Sequence, residues 1–124
     1  MECPFCALAV ERILAENDWI IIFKDQYPLS PGHMLIIPKR HIVSLFEATE
    51  LEQLALLQGL GFAKTQLEQQ YQPAGYNIGI NEGTAAGQTV MHLHVHFIPR
   101  YQGDCVDPRG GIRWILPAKA IYWD

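Results

Sequence analysis

Three histidines alternate with apolar residues in His92-Leu-His-Val-His96-Phe97. A β-strand has a side-chain period of two, so this spacing turns three imidazoles to one side and Leu93, Val95 and Phe97 to the other. Neutral imidazole is a competent nucleophile toward phosphorus, and the phosphoramidate it forms is later cleaved by water. For that role one ring nitrogen must be held by an orienting hydrogen bond. Neighbouring rings on the same face then supply protons to the non-bridging oxygens or to the leaving group. The chain has five histidines in all, and three of them in strict alternation do not look like scattered surface or core residues. Two chemistries stay open on this pattern: a nucleophile with helpers, or a catalytic metal ion bound by His92, His94 and His96 together.

Cys3-Pro-Phe-Cys6 is the second constellation. Its two-residue gap lets both sulfurs reach one tetrahedral ion, which would need two more ligands. A redox dithiol is the competing reading, but that motif sits between a strand and a helix of a βαβ unit, and no such unit precedes Cys3. Three cysteines are too few and too unevenly placed for a disulfide framework, which leaves Cys105 as a lone thiol near the surface.

The elements that must position these residues are short. Trp19-Ile-Ile-Ile-Phe23 is dense in β-branched and aromatic residues, and Lys24-Asp25 leads into the turn-forming Pro28-Leu-Ser-Pro-Gly32. His33 to Lys39 reads as the next strand, and Ile13-Leu-Ala as a short one before Trp19. Thr49 with Glu52 is a capping box, and Leu56, Leu60, Ala63, Leu67 and Tyr71 trace one apolar helix face. Gly59 and Gly61 weaken that helix, so it is expected to depend on packing against a sheet. Pro73-Ala-Gly75 ends it. Tyr76 to Asn81 then reads as a strand, Glu82 to Gln88 as a loop, and Thr89 to Pro99 as the last long strand. Strands, one helix and more strands with short connections predict an α+β domain.

At 124 residues the chain is expected to form a single domain, 1–124. A formal net charge of -4 excludes a protein that grips long nucleic acids through a basic surface. Small anions remain compatible, since a few backbone N–H groups and histidines can hold them in one pocket. The apolar runs are too short to span a bilayer, and the start of the chain lacks the pattern of a secretory signal, so no membrane partner and a cytoplasmic location are expected.

The chain resembles the histidine triad (HIT) family, whose signature is His-x-His-x-His followed by apolar residues. Pro31-Gly-His-Met-Leu-Ile-Ile-Pro-Lys-Arg-His41, Asn81-Glu-Gly and Ala86-Gly-Gln-Thr-Val90 are similar to the family's other blocks, in the same order and at similar spacing. The resemblance covers most of the segment from Trp19 to Arg100. It implies a HIT-like fold, an antiparallel sheet of about five strands with one main helix, and a homodimer.

It also implies roles. His94 would be nucleotidylated, His96 would contact the phosphate and leaving group, and His33 would lie near the phosphate. Gly87, Gln88 and Thr89 would form a phosphate-binding loop, with Asn81 positioning the same phosphate. Asp25 would accept the sugar hydroxyls, and Phe5, Ile22 and Phe23 would wall the base. A zinc ion held by Cys3, Cys6, His41 and His92 would be structural, as in branches of the family that carry such a cysteine pair, and no organic cofactor is implied. Arg109 and Arg113 belong to a tail similar to that of bacterial relatives, and read as solvated loop charges in preference to phosphate ligands.

The activity implied is hydrolysis at the α-phosphate of a small nucleotide substrate, either a dinucleoside polyphosphate or a nucleoside phosphoramidate. Relatives that transfer a nucleotide to a sugar phosphate carry Gln where this chain has His96. Two rivals are the metal-dependent hydrolase already described and a nucleotide-binding interaction module with little catalysis.

Overall fold

The computed structural model describes residues 2–124, and its frame is a five-stranded sheet. Strands β1 (Ile13–Glu16), β2 (Ile20–Lys24) and β3 (Met34–Pro38) precede helix α1 (Glu50–Glu68), and β4 (Gly75–Gly79) and β5 (Val95–Arg100) follow it. Every neighbouring pair is antiparallel, in the order β1-β2-β3-β5-β4. The α+β expectation is therefore met, including the short strand at Ile13. Asn17 makes the turn into β2, its side-chain oxygen accepting from the Trp19 and Ile20 N–H groups.

Strand alternation sorts the core into two faces. Ile20 and Ile22 of β2, Met34 and Ile36 of β3, and Leu93, Val95 and Phe97 pack in one cluster with Ala55, Leu56, Ala63 and Leu67 of α1. On the opposite face Phe23, Leu35 and Ile37 form a smaller cluster with Phe5 and Leu8 of the N-terminal segment. Burial of these side chains is the main force holding helix to sheet.

The capping box forms as expected: the Thr49 hydroxyl accepts from the Glu52 N–H while the Glu52 carboxylate accepts from the Thr49 N–H. Glu52 is nonetheless buried, and Arg40 donates to it twice, at 3.1 and 2.8 Å, which ties the start of α1 to the segment after β3. The Arg40 guanidinium is the main cause holding the Glu52 carboxyl below its usual range. Gly59 has a packing role beyond its weak helix propensity. A Cβ there would stand 2.7 Å from Ile20 Cδ1 and 3.3 Å from Ile36 Cγ2, so the missing side chain lets α1 approach the sheet. Gly61 faces nothing within 4 Å, and for it the simple reading holds.

Two element boundaries are corrected. β4 starts on Gly75, the residue expected to end the helical segment, and stops at Gly79, which frees Asn81 to enter the loop beside the histidines. The strand expected from Thr89 is a ladder only from Val95. Upstream of it the backbone bonds elsewhere, as in the Leu93 N–H donating to the Ile42 carbonyl at 2.7 Å. His92 to His96 still alternates, because Leu93 and Val95 lie in the helix-side core.

Beyond β5 the chain closes in 3-10 turns at Gly111–Ile115 and Pro117–Lys119. Arg113 donates to the carbonyls of Ala120 and Lys119, while Arg109 pairs with Asp107 and stacks over Trp123 at 4.6 Å. Both arginines thus hold the tail to itself. Among the described residues, no helix is long and apolar enough to cross a membrane.

Candidate active site

Phe23 of β2, Leu35 of β3 and His96 of β5 are successive register partners, so they form a row across the sheet face turned away from α1. A cleft of about 520 Å³ lies on this row. Its apolar end is walled by Phe5, Phe23 and Leu35, and its polar end by His94, His96, Asn81 and Thr89.

His94 is the central ring of the polar end. Its Nδ1 donates to the His92 carbonyl at 2.8 Å, so the neutral ring has its lone pair on Nε2. Phe5 meets this ring edge-on at 5.2 Å, and His96 lies at the same distance on another side. The ring is 7% exposed, held firmly but lining the cleft.

Behind it runs a directed chain of hydrogen bonds. The Leu29 N–H donates to Nδ1 of His33 at 3.1 Å, so in the neutral ring the proton sits on Nε2. That Nε2 is 3.0 Å from Nδ1 of His96 and 3.4 Å from Oδ2 of Asp25. Donation to His96 Nδ1 places the His96 proton on its own Nε2. Burial pushes the His33 pKa down, and His96 is pushed down to about 4 by burial first and then by the neighbouring charges of His94 and His33. Both rings are therefore neutral near pH 7, where the tautomer argument applies. His33 is thus behind His96 as well as beside the cleft. Asp25 opens the turn, accepting from the Tyr27 N–H at 2.8 Å, and its other oxygen faces the two histidines.

Cys3, Cys6, His41 and His92 also converge, with one ligand atom from each within 4.8 Å of the others. Cys6 Sγ lies 3.2 Å from His41 Nδ1, and His92 Nδ1 lies 3.5 and 3.6 Å from the two sulfurs. A zinc tetrahedron with Zn–S of about 2.3 Å and Zn–N of about 2.0 Å has edges near 3.5 Å, so the donor set fits that ion. His92 Nε2 donates to the Pro38 carbonyl at 2.8 Å, which presents Nδ1 unprotonated toward the sulfurs, the arrangement a metal-binding imidazole requires.

The same rule removes the rival with three histidines on one catalytic ion. His92 Nδ1 points to the cysteines and His94 Nδ1 is bound to a carbonyl, so these rings share no centre. Asp25, His33 and His96 do bring donor atoms within 4.8 Å of one another. However, His33 Nδ1 accepts an N–H where a metal-bound ring would donate one, so this trio is arranged as a directed chain of hydrogen bonds and not as a metal site.

The remaining sequence candidates divide. Thr89 and Asn81 line the cleft, and so do Phe5, Phe23 and Asp25. Gln88 does not: its buried amide accepts from the Gly83 N–H and donates to the carbonyls of Val43 and Val90. The backbone N–H groups of Gly87 and Gln88 donate to Thr84 and Gly83 carbonyls, so both residues shape the loop that presents Thr89. Gly87 adopts φ 97°, which suits a residue without Cβ. Ile22 is on the helix side of the sheet, since neighbouring residues of a strand face opposite ways and Phe23 faces the cleft. Sequence reasoning missed Arg12, which lines the cleft beside Phe23. A short strand one residue later was its only signal.

Residues 9–103 match the HIT domain model. The AP-4-A phosphorylase of Mycobacterium tuberculosis is 34% identical over 93 residues, covering 74% of this chain and 48% of that protein. A hypothetical histidine triad nucleotide-binding protein from Sulfolobus tokodaii superposes with TM-score 0.76 at 32% identity, covering 85% of this chain and 73% of its own. A Zn-bound histidine triad family protein from Mycobacterium smegmatis gives TM-score 0.69 at 32% identity, with 85% and 79% covered.

Proposed function

The chain belongs to the HIT domain family, and from that premise we propose that it hydrolyses small nucleotides at the α-phosphate, through a covalent nucleotidyl-histidine. The substrates are dinucleoside polyphosphates or nucleoside phosphoramidates. One observation carries the reading: His94 Nδ1 is bound to the His92 carbonyl, which turns its Nε2 into the free nitrogen of the neutral ring, and the His96 ring stands 5.2 Å away in the same cleft.

In the first step the His94 Nε2 lone pair forms a bond to the α-phosphorus while the bond to the leaving group breaks. His96 Nε2–H donates a hydrogen bond to the departing group without giving up its proton, and His33 orients that donor by its own bond to His96 Nδ1; a nucleotide leaves as its own anion, and an amine takes its proton from solvent. Thr89 and Asn81 border the position of the α-phosphate, and Asp25 that of the ribose. In the second step water attacks the same phosphorus as the P–N bond to His94 breaks, its proton passes to solvent, and nucleoside monophosphate leaves His94 free. His96, where nucleotide transferases carry Gln, supports water as the acceptor.

Cys3, Cys6, His41 and His92 would hold a structural zinc, whose chemistry is to fix its ligands in place. His92 would then be anchored through both nitrogens, and its carbonyl is the group that orients His94. The protein works as a homodimer in this reading, supported by the apolar surface that Ile112, Ile115 and Leu116 expose on the tail.

Rapid quench of the enzyme with labelled dinucleoside polyphosphate, followed by intact-mass measurement, tests the mechanism. The native chain gains one nucleoside monophosphate, and His94→Ala gains none while losing activity by roughly 10⁴-fold or more. A labelled His94→Ala protein would overturn the assignment.

A further inference from the structure

The apolar end of the cleft carries a cation that the reaction at His94 does not use. Arg12 ends the 3-10 turn Val10–Arg12, and the next residue, Ile13, is the register partner of Phe23. Its guanidinium lies over the Phe23 ring, with Cζ 5.5 Å from the centroid. Nη2 donates to the Lys24 carbonyl at 3.0 Å, and among the described residues Nε and Nη1 have no protein acceptor. Among the described residues, no other lysine or arginine lines the cleft.

The placement matters because of the strand order. His96 on β5 and Phe23 on β2 are two strand spacings apart, roughly 10 Å, and Arg12 lies about one spacing further, beside β1. A nucleoside monophosphate with its phosphorus at His94 spans that distance, with the base against Phe5, Phe23 and Leu35. The far edge of the base then meets Arg12.

A guanidinium only donates hydrogen bonds, and it donates them as a planar fork. Guanine and hypoxanthine offer O6 and N7 as a matched pair of acceptors on one edge. Adenine offers N7 beside an amino group that is itself a donor. The cation–π contact with Phe23 and the bond to Lys24 hold the fork in one orientation, so discrimination costs little ordering of the side chain.

We propose that Arg12 reads the nucleobase and makes this cleft select 6-oxopurine nucleotides over adenine nucleotides. The inference rests on the functional reading above, since it takes the cleft to hold a nucleotide with its phosphate at His94.

Calorimetric titration of the full chain with GMP, IMP and AMP provides the test. GMP and IMP bind roughly tenfold more tightly than AMP, the discrimination expected of one bidentate arginine contact. Arg12→Met brings the three within about twofold of one another, and Arg12→Lys does the same, because it keeps the charge and removes the fork. Thermal melts of both variants confirm that they fold. GMP and AMP binding equally to the native chain, or a preference that survives both substitutions, overturns the role of Arg12 while leaving the nucleotide cleft intact. No binding by any of the three nucleotides, together with no adduct at His94, overturns the functional reading and this inference with it.

Discussion

Two clusters of titratable side chains flank His94, and they differ in the direction of one hydrogen bond. At the corner formed by Cys3, Cys6, His41 and His92, the outer nitrogen of His92 donates to the Pro38 carbonyl. In the trio of Asp25, His33 and His96, the outer nitrogen of His33 accepts from the Leu29 N–H. A donated bond leaves a lone pair facing inward, and an accepted bond leaves a proton there. The first cluster is thereby suited to a cation and the second to presenting an oriented N–H donor. Composition alone would not separate them, since both set histidines beside acidic side chains.

The largest effect expected from breaking this contrast is loss of the metal. Replacing both Cys3 and Cys6 with serine takes zinc content from one ion per chain to none, and lowers stability by several kcal/mol, read as a melting shift of roughly 10 °C or more. Asp25→Asn keeps the full zinc content in the same elemental analysis. Zinc lost from Asp25→Asn, or retained by the double serine variant, would mean that the clusters have been assigned the wrong way round.

Next in size is the effect of removing the hydrogen bond that sets the His96 tautomer. His33→Phe lowers kcat by roughly 100-fold, the usual cost of losing one oriented donor, and leaves the zinc content as it was. A kcat within threefold of native would show that His33 does not orient the His96 donor.

The smallest expected effect is on stability against pH. The folded state holds His96 near pKa 4, through burial and the charges of His94 and His33, against 6.5 for the unfolded chain. With a depressed native pKa the unfolded state binds more protons across that window. Stability is full well above pH 6.5 and falls as pH drops toward 4, by about 2.5 kcal/mol at pH 4.5. Urea denaturation of the zinc-free double serine variant isolates this slope from metal release. His96→Gln flattens it, and an unchanged slope would show that His96 is not its source.

Much of the frame was readable because each element carries its own local cause. Trp19 to Phe23 has the residue types of a strand, and Thr49 with Glu52 caps α1 as the capping-box pattern requires. The alternation from His92 to His96 survived even though the ladder begins only at Val95, since extended backbone alternates with or without a partner strand. What stayed hidden depends on contacts distant in sequence. Nothing local to Gly59 indicates that Ile20 and Ile36 need its missing side chain, and nothing local to Glu52 indicates that Arg40 follows it into the interior. In the site, a family block placed Gln88 at the phosphate, but its amide closes the loop on Val43 and Val90. Ile22 and Phe23 were grouped as one wall although a strand cannot turn adjacent side chains the same way. Arg12 was invisible because its significance appears only once β1 is laid beside β2.

The bond from Leu29 to His33 bears on how this protein can vary. The donor is a main-chain amide, and the Leu29 side chain is 77% exposed, so nearly any amino acid at that position would leave the proton where it is. Proline is the exception, having no amide hydrogen to give. For the His33 proton alone, position 29 forbids only proline, a constraint that would leave almost no trace in a tally of which side chains evolution retains.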